Sequence, residues 1–179
     1  ECHNEWEITF EEIHRNGAIS FAIYNYIRHT GDHTYLEKYG RPVLIAIAKF
    51  WTQRFNWSEA KKAFVMLGVT GPNEYENNVN NNWYTNYIAR WCIQYALEVD
   101  ELLENKIGSE LGSEEKTHWM SIIENTYLPK LEGTNVFLQQ DGFMDKEQLQ
   151  VSDLPLKERP INQHWSWDRI LRSIFIKQA

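Results

Sequence analysis

The stretch from Trp83 to Val99 constrains the fold of this chain most, because its apolar residues return with the period of an α-helix. Tyr84, Tyr87, Ile88, Trp91, Cys92, Tyr95 and Val99 mark one face, whereas Asn86, Arg90, Gln94 and Glu98 mark the other. A helix with one apolar face needs a second element to cover it, and the flanking sequence offers several. From Phe10 to about Arg28 apolar residues occupy nearly every face, which predicts a buried helix interrupted only by Gly17. Gly31 and Asp32 predict a turn. Leu36, Tyr39, Val43, Leu44, Ile47, Phe50, Trp51 and Phe55 then recur at three- and four-residue steps and predict a second helix. Pro42 either opens the main part of that helix or kinks it, since proline lacks the N–H of a helix interior. A further helix is expected from Ser113 to about Thr126, with Glu115 near its start and Pro129 ending it.

Between these helices, Lys62 to Asn82 breaks the period with Gly68, Gly71-Pro72 and a run of Asn and Glu, which predicts a loop with a short hairpin. Beyond Asn135 the pattern falls to short apolar pieces, mostly loop with room for a hairpin. Paired helices joined by long loops predict part of an all-α toroid or barrel whose loops build a site at one end. The chain stops at Ala179 directly after an apolar run with no polar cap, as a segment cut from something longer would.

Composition narrows the function. The 42% hydrophobic and 14% aromatic content supports a packed core. The eight Trp and nine Tyr offer rings that pack in helical cores and also suit sugar faces. A formal net charge of −7 argues against nucleic acid or an anionic membrane as partner. Only two cysteines occur, and Cys92 lies on the apolar stripe, which fits a reducing, cytoplasmic compartment. His3, His14, His29, His33, His118 and His164 lack the spacing of a metal site, so no metal is expected.

The segment Gly68-Val-Thr-Gly-Pro-Asn-Glu-Tyr-Glu-Asn-Asn-Val-Asn-Asn-Asn-Trp-Tyr-Thr-Asn86 resembles the signature of glycoside hydrolase family 65. Glu1-Cys-His-Asn-Glu-Trp-Glu-Ile-Thr-Phe-Glu-Glu-Ile-His-Arg-Asn-Gly-Ala18 is similar to the family's acceptor loop and following helix, and Phe175-Ile-Lys-Gln-Ala179 to a second signature. The resemblance covers essentially the whole chain. It implies an (α/α)6 barrel, of which residues 1–179 would be a catalytic-domain fragment lacking the enzyme's N- and C-terminal parts. It also implies inverting phosphorolysis of an α-linked disaccharide to β-glucose 1-phosphate. Glu74 falls on the family's general acid. Lys177 and Gln178 fall on residues that hydrogen-bond the donor glucose. His3, Asn4, Glu5, Trp6 and Glu7 fall in the acceptor loop, where Trp6 could stack on a sugar, and this loop resembles the version in the maltose-cleaving branch.

No cofactor is implied, because inorganic phosphate is a co-substrate that arrives already anionic. The resemblance puts its cradle, and the Trp-Asp grip on the donor, outside the chain. A homodimer is likewise implied. Asn73 stands where much of the family has Asp, Trp83 where Ala is frequent, and Ile174 where the maltose branch tends to have Pro. For Glu11 and Glu12 only a helix-dipole role is expected, for His14 a bond within the core, and for Asn77, Asn78, Asn80, Asn81 and Asn82 a structural role. Trehalose, kojibiose and nigerose remain alternative substrates. A hydrolase on the same barrel would take Glu5, Glu7 or Asp141 as base, and a non-catalytic helical carbohydrate-binding module is the alternative of a different class.

Overall fold

The computed structural model describes residues 8–166, 169, 170 and 173–177. Helix α1 (Ile8–Glu11) is followed by α2 (Arg15–Thr30), so the single helix expected from Phe10 is broken at residues 12–14. The reason lies in the hydrogen bonds. In a continuous helix the Arg15 N–H would donate to the Glu11 carbonyl, four residues back. Here it donates to the Glu12 carbonyl at 3.3 Å, while Thr70 N–H, from a distant loop, donates to the Glu11 carbonyl at 3.2 Å. Nor is α2 buried all round within this chain. It buries Gly17, Ser20 and Ile23, and leaves Ile19, Phe21 and Tyr26 exposed.

Gly31 closes α2 in the left-handed conformation (φ 66°), which a glycine adopts without a Cβ penalty. Asp32 Oδ1 then accepts from the Tyr35 N–H at 2.9 Å and caps the short α3 (His33–Tyr35). A π-turn over Leu36–Gly40 leads into α4 (Arg41–Arg54), whose first turn holds Pro42; the proline opens this helix and does not kink it. An antiparallel hairpin of β1 (Asn56–Ser58) and β2 (Ala63–Val65), with Trp57 opposite Phe64, precedes the long loop.

Helix α5 (Trp83–Ile107) runs beyond the expected end at Val99 because Asp100 and Leu103 continue its buried side. Its inward face is also rotated from the expected one. Tyr84 and Tyr87 are exposed, whereas Asn86 is buried, held by the Tyr127 carbonyl at 2.8 Å and the Asn81 carboxamide oxygen at 3.3 Å. Helix α6 (Ser113–Asn125) follows, with Glu114 and Glu115 in its first turn as the N-terminal dipole favours. The remainder is mostly loop, as expected. It carries a parallel pair of β3 (Glu147–Gln150) and β4 (Ser173–Lys177), and between them the short helix α7 (Ile161–His164).

The core lies among α2, α4, α5 and α6. Leu44, Ala48 and Trp51 of α4 meet Ala89, Cys92, Ile93 and Ala96 of α5, with Trp119 and Ile122 of α6 closing one side. Full burial of a large aliphatic side chain contributes about 1.5–3 kcal/mol, so this seam dominates the chain's stability. Gly17 lets α2 approach α5, since a Cβ there would be driven into the Ile88 side chain. One buried ion pair crosses the seam. Arg41 Nε donates to Asp100 Oδ1 at 3.1 Å and its Nη2 to the Gly108 carbonyl at 2.7 Å, while Asp100 also accepts from Ser109 Oγ and the Glu110 N–H. Burial alone would raise the Asp100 carboxyl, but Ser109, Glu110, Arg41 and Lys116 outweigh it and hold the group at about 2. No helix among the described residues is long and apolar enough to cross a membrane.

Candidate active site

Residues 66–82 form the loop that carries Glu74, and hydrogen bonds at several points give it a fixed course. Val69 and Val79 exchange both backbone hydrogen bonds at 2.9 Å, which closes its middle into a narrow neck. Asn81 accepts from the Met66 N–H at 3.0 Å and donates to Asp141 Oδ2 at 2.7 Å. Asn82 caps α5 by accepting from the Thr85 N–H and Oγ1, both at 3.0 Å. Asn80 accepts from the Gly68 N–H at 3.2 Å. These asparagines spend their side chains on backbone groups and on neighbouring side chains of the fold, in line with the structural role expected of them. A Cβ on Gly71 would strike the Asn82 carboxamide, so the loop can lie this close to its own end only with glycine there.

Glu74 is the second residue of a tight turn in which the Glu76 N–H donates to the Asn73 carbonyl at 3.0 Å. Both ends of that turn are anchored to one wall. Asn73 Nδ2 donates to Gln139 Oε1 at 3.1 Å, and the buried Glu76 accepts from Gln140 Nε2 at 2.7 Å and pairs with Lys146. Beside the turn lies a cleft of about 450 Å³ lined by Pro72, Asn73, Trp83, Tyr84, Phe137 and Phe143, among others. Trp83 stacks on Tyr87 with ring centroids 4.9 Å apart and planes 9° from parallel, and Phe137 packs against the same indole at 4.9 Å. Glu74 is not itself a lining residue, but Pro72 and Asn73, immediately before it, are.

The Glu74 side chain is 55% exposed, yet it does not stand alone. Its Oε1 lies 3.9 Å from Arg15 Nη2, and the same guanidinium pairs with Glu12. Glu12 is only 5% exposed. Burial foremost, then hydrogen bonding to Glu74 and the charge of that residue, raises the Glu12 carboxyl from 4.5 to about 7. The corner that holds Glu12 is stitched to the Glu74 loop. Glu11 Oε2 accepts from Thr70 Oγ1 at 2.7 Å and from the Asn78 N–H at 2.8 Å, and His14 Nδ1 lies 3.0 Å from the Thr70 carbonyl. Burial lowers the His14 ring, against the opposing pull of the Thr70 carbonyl and the Glu74 charge, so His14 is neutral near pH 7 and donates to that carbonyl.

The contacts of Glu11 and Glu12 go beyond the helix-dipole role expected of them. Glu11 clamps two loop groups, and Glu12 faces Glu74. Sequence reasoning missed both, as well as the Glu76–Gln140–Lys146 anchor, because each depends on contacts between segments far apart in the chain. The Glu12 and Arg15 spacing of a helical ion pair was the one local hint. Asp141 is committed to Asn81 and to Lys61, whose Nζ lies 3.4 Å from its Oδ2. Lys177 is placed on β4, opposite Gln150. His3, Asn4, Glu5, Trp6, Glu7 and Gln178 lie outside the described residues. Among the described residues no group of three His, Cys, Asp or Glu side chains converges as a metal site would.

Residues 1–179 match the glycosyl hydrolase family 65 central catalytic domain. The chain is 54% identical to the maltose phosphorylase of Bacillus subtilis (strain 168), an alignment covering 100% of this chain and 24% of that protein. It is 33% identical to the kojibiose phosphorylase of Halothermothrix orenii, over 94% of this chain and 23% of the relative. A solved structure from the human microbiome, assigned as a kojibiose phosphorylase, superimposes with a TM-score of 0.75 at 30% identity, covering 92% of this chain and 22% of that one. The chain thus spans about a quarter of the length of the curated relatives it matches. Its all-α helices and long loops are part of an (α/α)6 barrel. The chain belongs to glycoside hydrolase family 65.

Proposed function

We propose that the full-length protein containing this chain is an inverting maltose phosphorylase, releasing β-D-glucose 1-phosphate and D-glucose, with Glu74 as general acid. The observation that carries the reading is the carboxyl of Glu74, held on an anchored turn at the edge of an aromatic cleft beside a second carboxyl. In the proposed reaction the Glu74 O–H donates its proton to the glycosidic oxygen as the C1–O bond breaks. A phosphate oxygen attacks C1 from the opposite face and inverts it. The similarity to a maltose phosphorylase along the whole chain supports the choice of substrate.

A hydrolase on the same barrel is the alternative reading. An inverting hydrolase sets its base about 6.5–9.5 Å from its acid to leave room for water. Among the described residues, Glu12 shares the Arg15 guanidinium with Glu74, and Asp141 is engaged by Asn81 and Lys61; Glu5 and Glu7 lie outside the described residues. In this reading Lys177 and Gln178 hold the donor glucose, and His3, Asn4, Glu5, Trp6 and Glu7 line the acceptor subsite. Phosphate is bound by residues outside the chain, so residues 1–179 are a catalytic-domain fragment that is inactive alone. The enzyme needs no cofactor, works in the cytoplasm and forms a homodimer. The test is to incubate the full-length protein with maltose and phosphate and follow the anomeric proton by NMR. β-Glucose 1-phosphate is expected as first product, with no cleavage when phosphate is withheld; equal cleavage without phosphate would establish a hydrolase.

A further inference from the structure

The geometry points to Glu12 as a positioning residue that keeps one proton shared with Glu74, so that Glu74 starts each turnover as an acid. This rests on the reading of Glu74 as the proton donor. Among the described residues, three charged or titratable groups surround the Glu12–Glu74 pair: Glu11 on α1, and His14 and Arg15 at the start of α2. Among the described residues, Arg15 brings the positive charge, since His14 is neutral near pH 7. Glu11 is turned to the loop, where its Oε2 takes hydrogen bonds from Thr70 and Asn78.

One guanidinium therefore faces two carboxyls, through an ion pair to Glu12 and a 3.9 Å approach to Glu74. A single positive charge balances one of them, and two adjacent carboxylates in a part-dry corner do not both ionise readily. With Glu12 only 5% exposed, water cannot screen the excess charge from the buried side. The second carboxyl keeps a proton to higher pH, in keeping with the upward displacement of Glu12 to about 7. During turnover Glu74 gives its proton to the departing oxygen and becomes a carboxylate. The pair, then fully ionised around one guanidinium, takes a proton from solvent before the next cycle.

The experiment compares full-length wild type, Glu12→Gln and Glu12→Asp at one phosphate concentration, so that the ionisation of phosphate is common to all three. Glu12→Gln preserves volume and a hydrogen-bonding group but cannot share an acidic proton. Its alkaline limb of kcat/KM should move to lower pH by about one unit or more. At pH 7.5 its kcat should fall by roughly ten-fold or more, with KM for maltose changed less than about two-fold. Glu12→Asp, still an acid, should keep a limb near that of wild type. An unmoved limb in Glu12→Gln would overturn the role, as would equal losses in both variants accompanied by a lower unfolding temperature. Infrared difference spectra separate this from the assignment of function. A carboxylic-acid carbonyl band present in wild type at pH 6 and lost in Glu12→Gln is expected even if maltose proves not to be the substrate. Identical spectra would refute the shared proton.

Discussion

Glu11 and Glu12 are neighbours in sequence with unlike environments, and this contrast shows how one residue's surroundings decide its chemistry. Glu11 is a clamp: its carboxylate accepts from the Thr70 hydroxyl and the Asn78 N–H, and its carbonyl accepts from the Thr70 N–H. Hydrogen bonds to an ionised acceptor are worth about 1.5–3 kcal/mol each when shielded, with exposure at Asn78 reducing that. Glu11→Ala should speed amide hydrogen exchange at Asn78 and along the Glu74 loop while leaving the α4–α5 core unchanged; unaltered exchange at Asn78 would show that the clamp is not what orders the loop. Glu74 could be singled out as a candidate from sequence because the Gly68–Asn86 segment carries a specific signature. Its partner could not, since the approach of Glu12 depends on where the chain turns between α1 and α2.

At the scale of elements, period and punctuation were legible and orientation was less so. Pro42 opening α4, Gly31 closing α2, and the acidic first turn of α6 all follow from backbone chemistry local to each residue. The break between α1 and α2 does not, because the Thr70 N–H of the distant loop takes the Glu11 carbonyl, and neither does the burial of Asn86, which is settled by the Tyr127 carbonyl. Buried polar groups of this kind read as surface until their partners are known. The Arg41–Asp100 pair is the sharpest instance, since both charges lie in the seam between α4 and α5. Asp100→Asn would leave the buried guanidinium uncompensated and should destabilise the fold by about 3–5 kcal/mol in denaturant unfolding. The pH sign follows from the depressed carboxyl. Its stabilisation is present above the ordinary value of 3.8 and is lost as pH falls toward about 2. The variant should therefore lose that part of the acid dependence, whereas an unchanged acid-unfolding curve would remove Asp100 as its source.

Across the whole molecule, the helical core fixes two loop-bearing ends of α2 and α5, and the site is what those loops enclose. The residues proposed to grip sugar are spread from the acceptor loop to Lys177 and Gln178, so the proposed substrate binding draws on the longer protein; this chain spans about a quarter of the length of the relatives it matches. Proton delivery, as proposed, falls to the Glu74 side chain, which makes it separable from binding. The decisive comparison is the turnover of Glu74→Gln full-length protein, with phosphate, on maltose and on α-glucosyl fluoride, whose leaving group needs little protonation. Turnover of maltose should fall about 10²–10⁴-fold while that of the fluoride stays within about ten-fold of wild type. Equal losses on both substrates, or none on maltose, would contradict Glu74 as the acid.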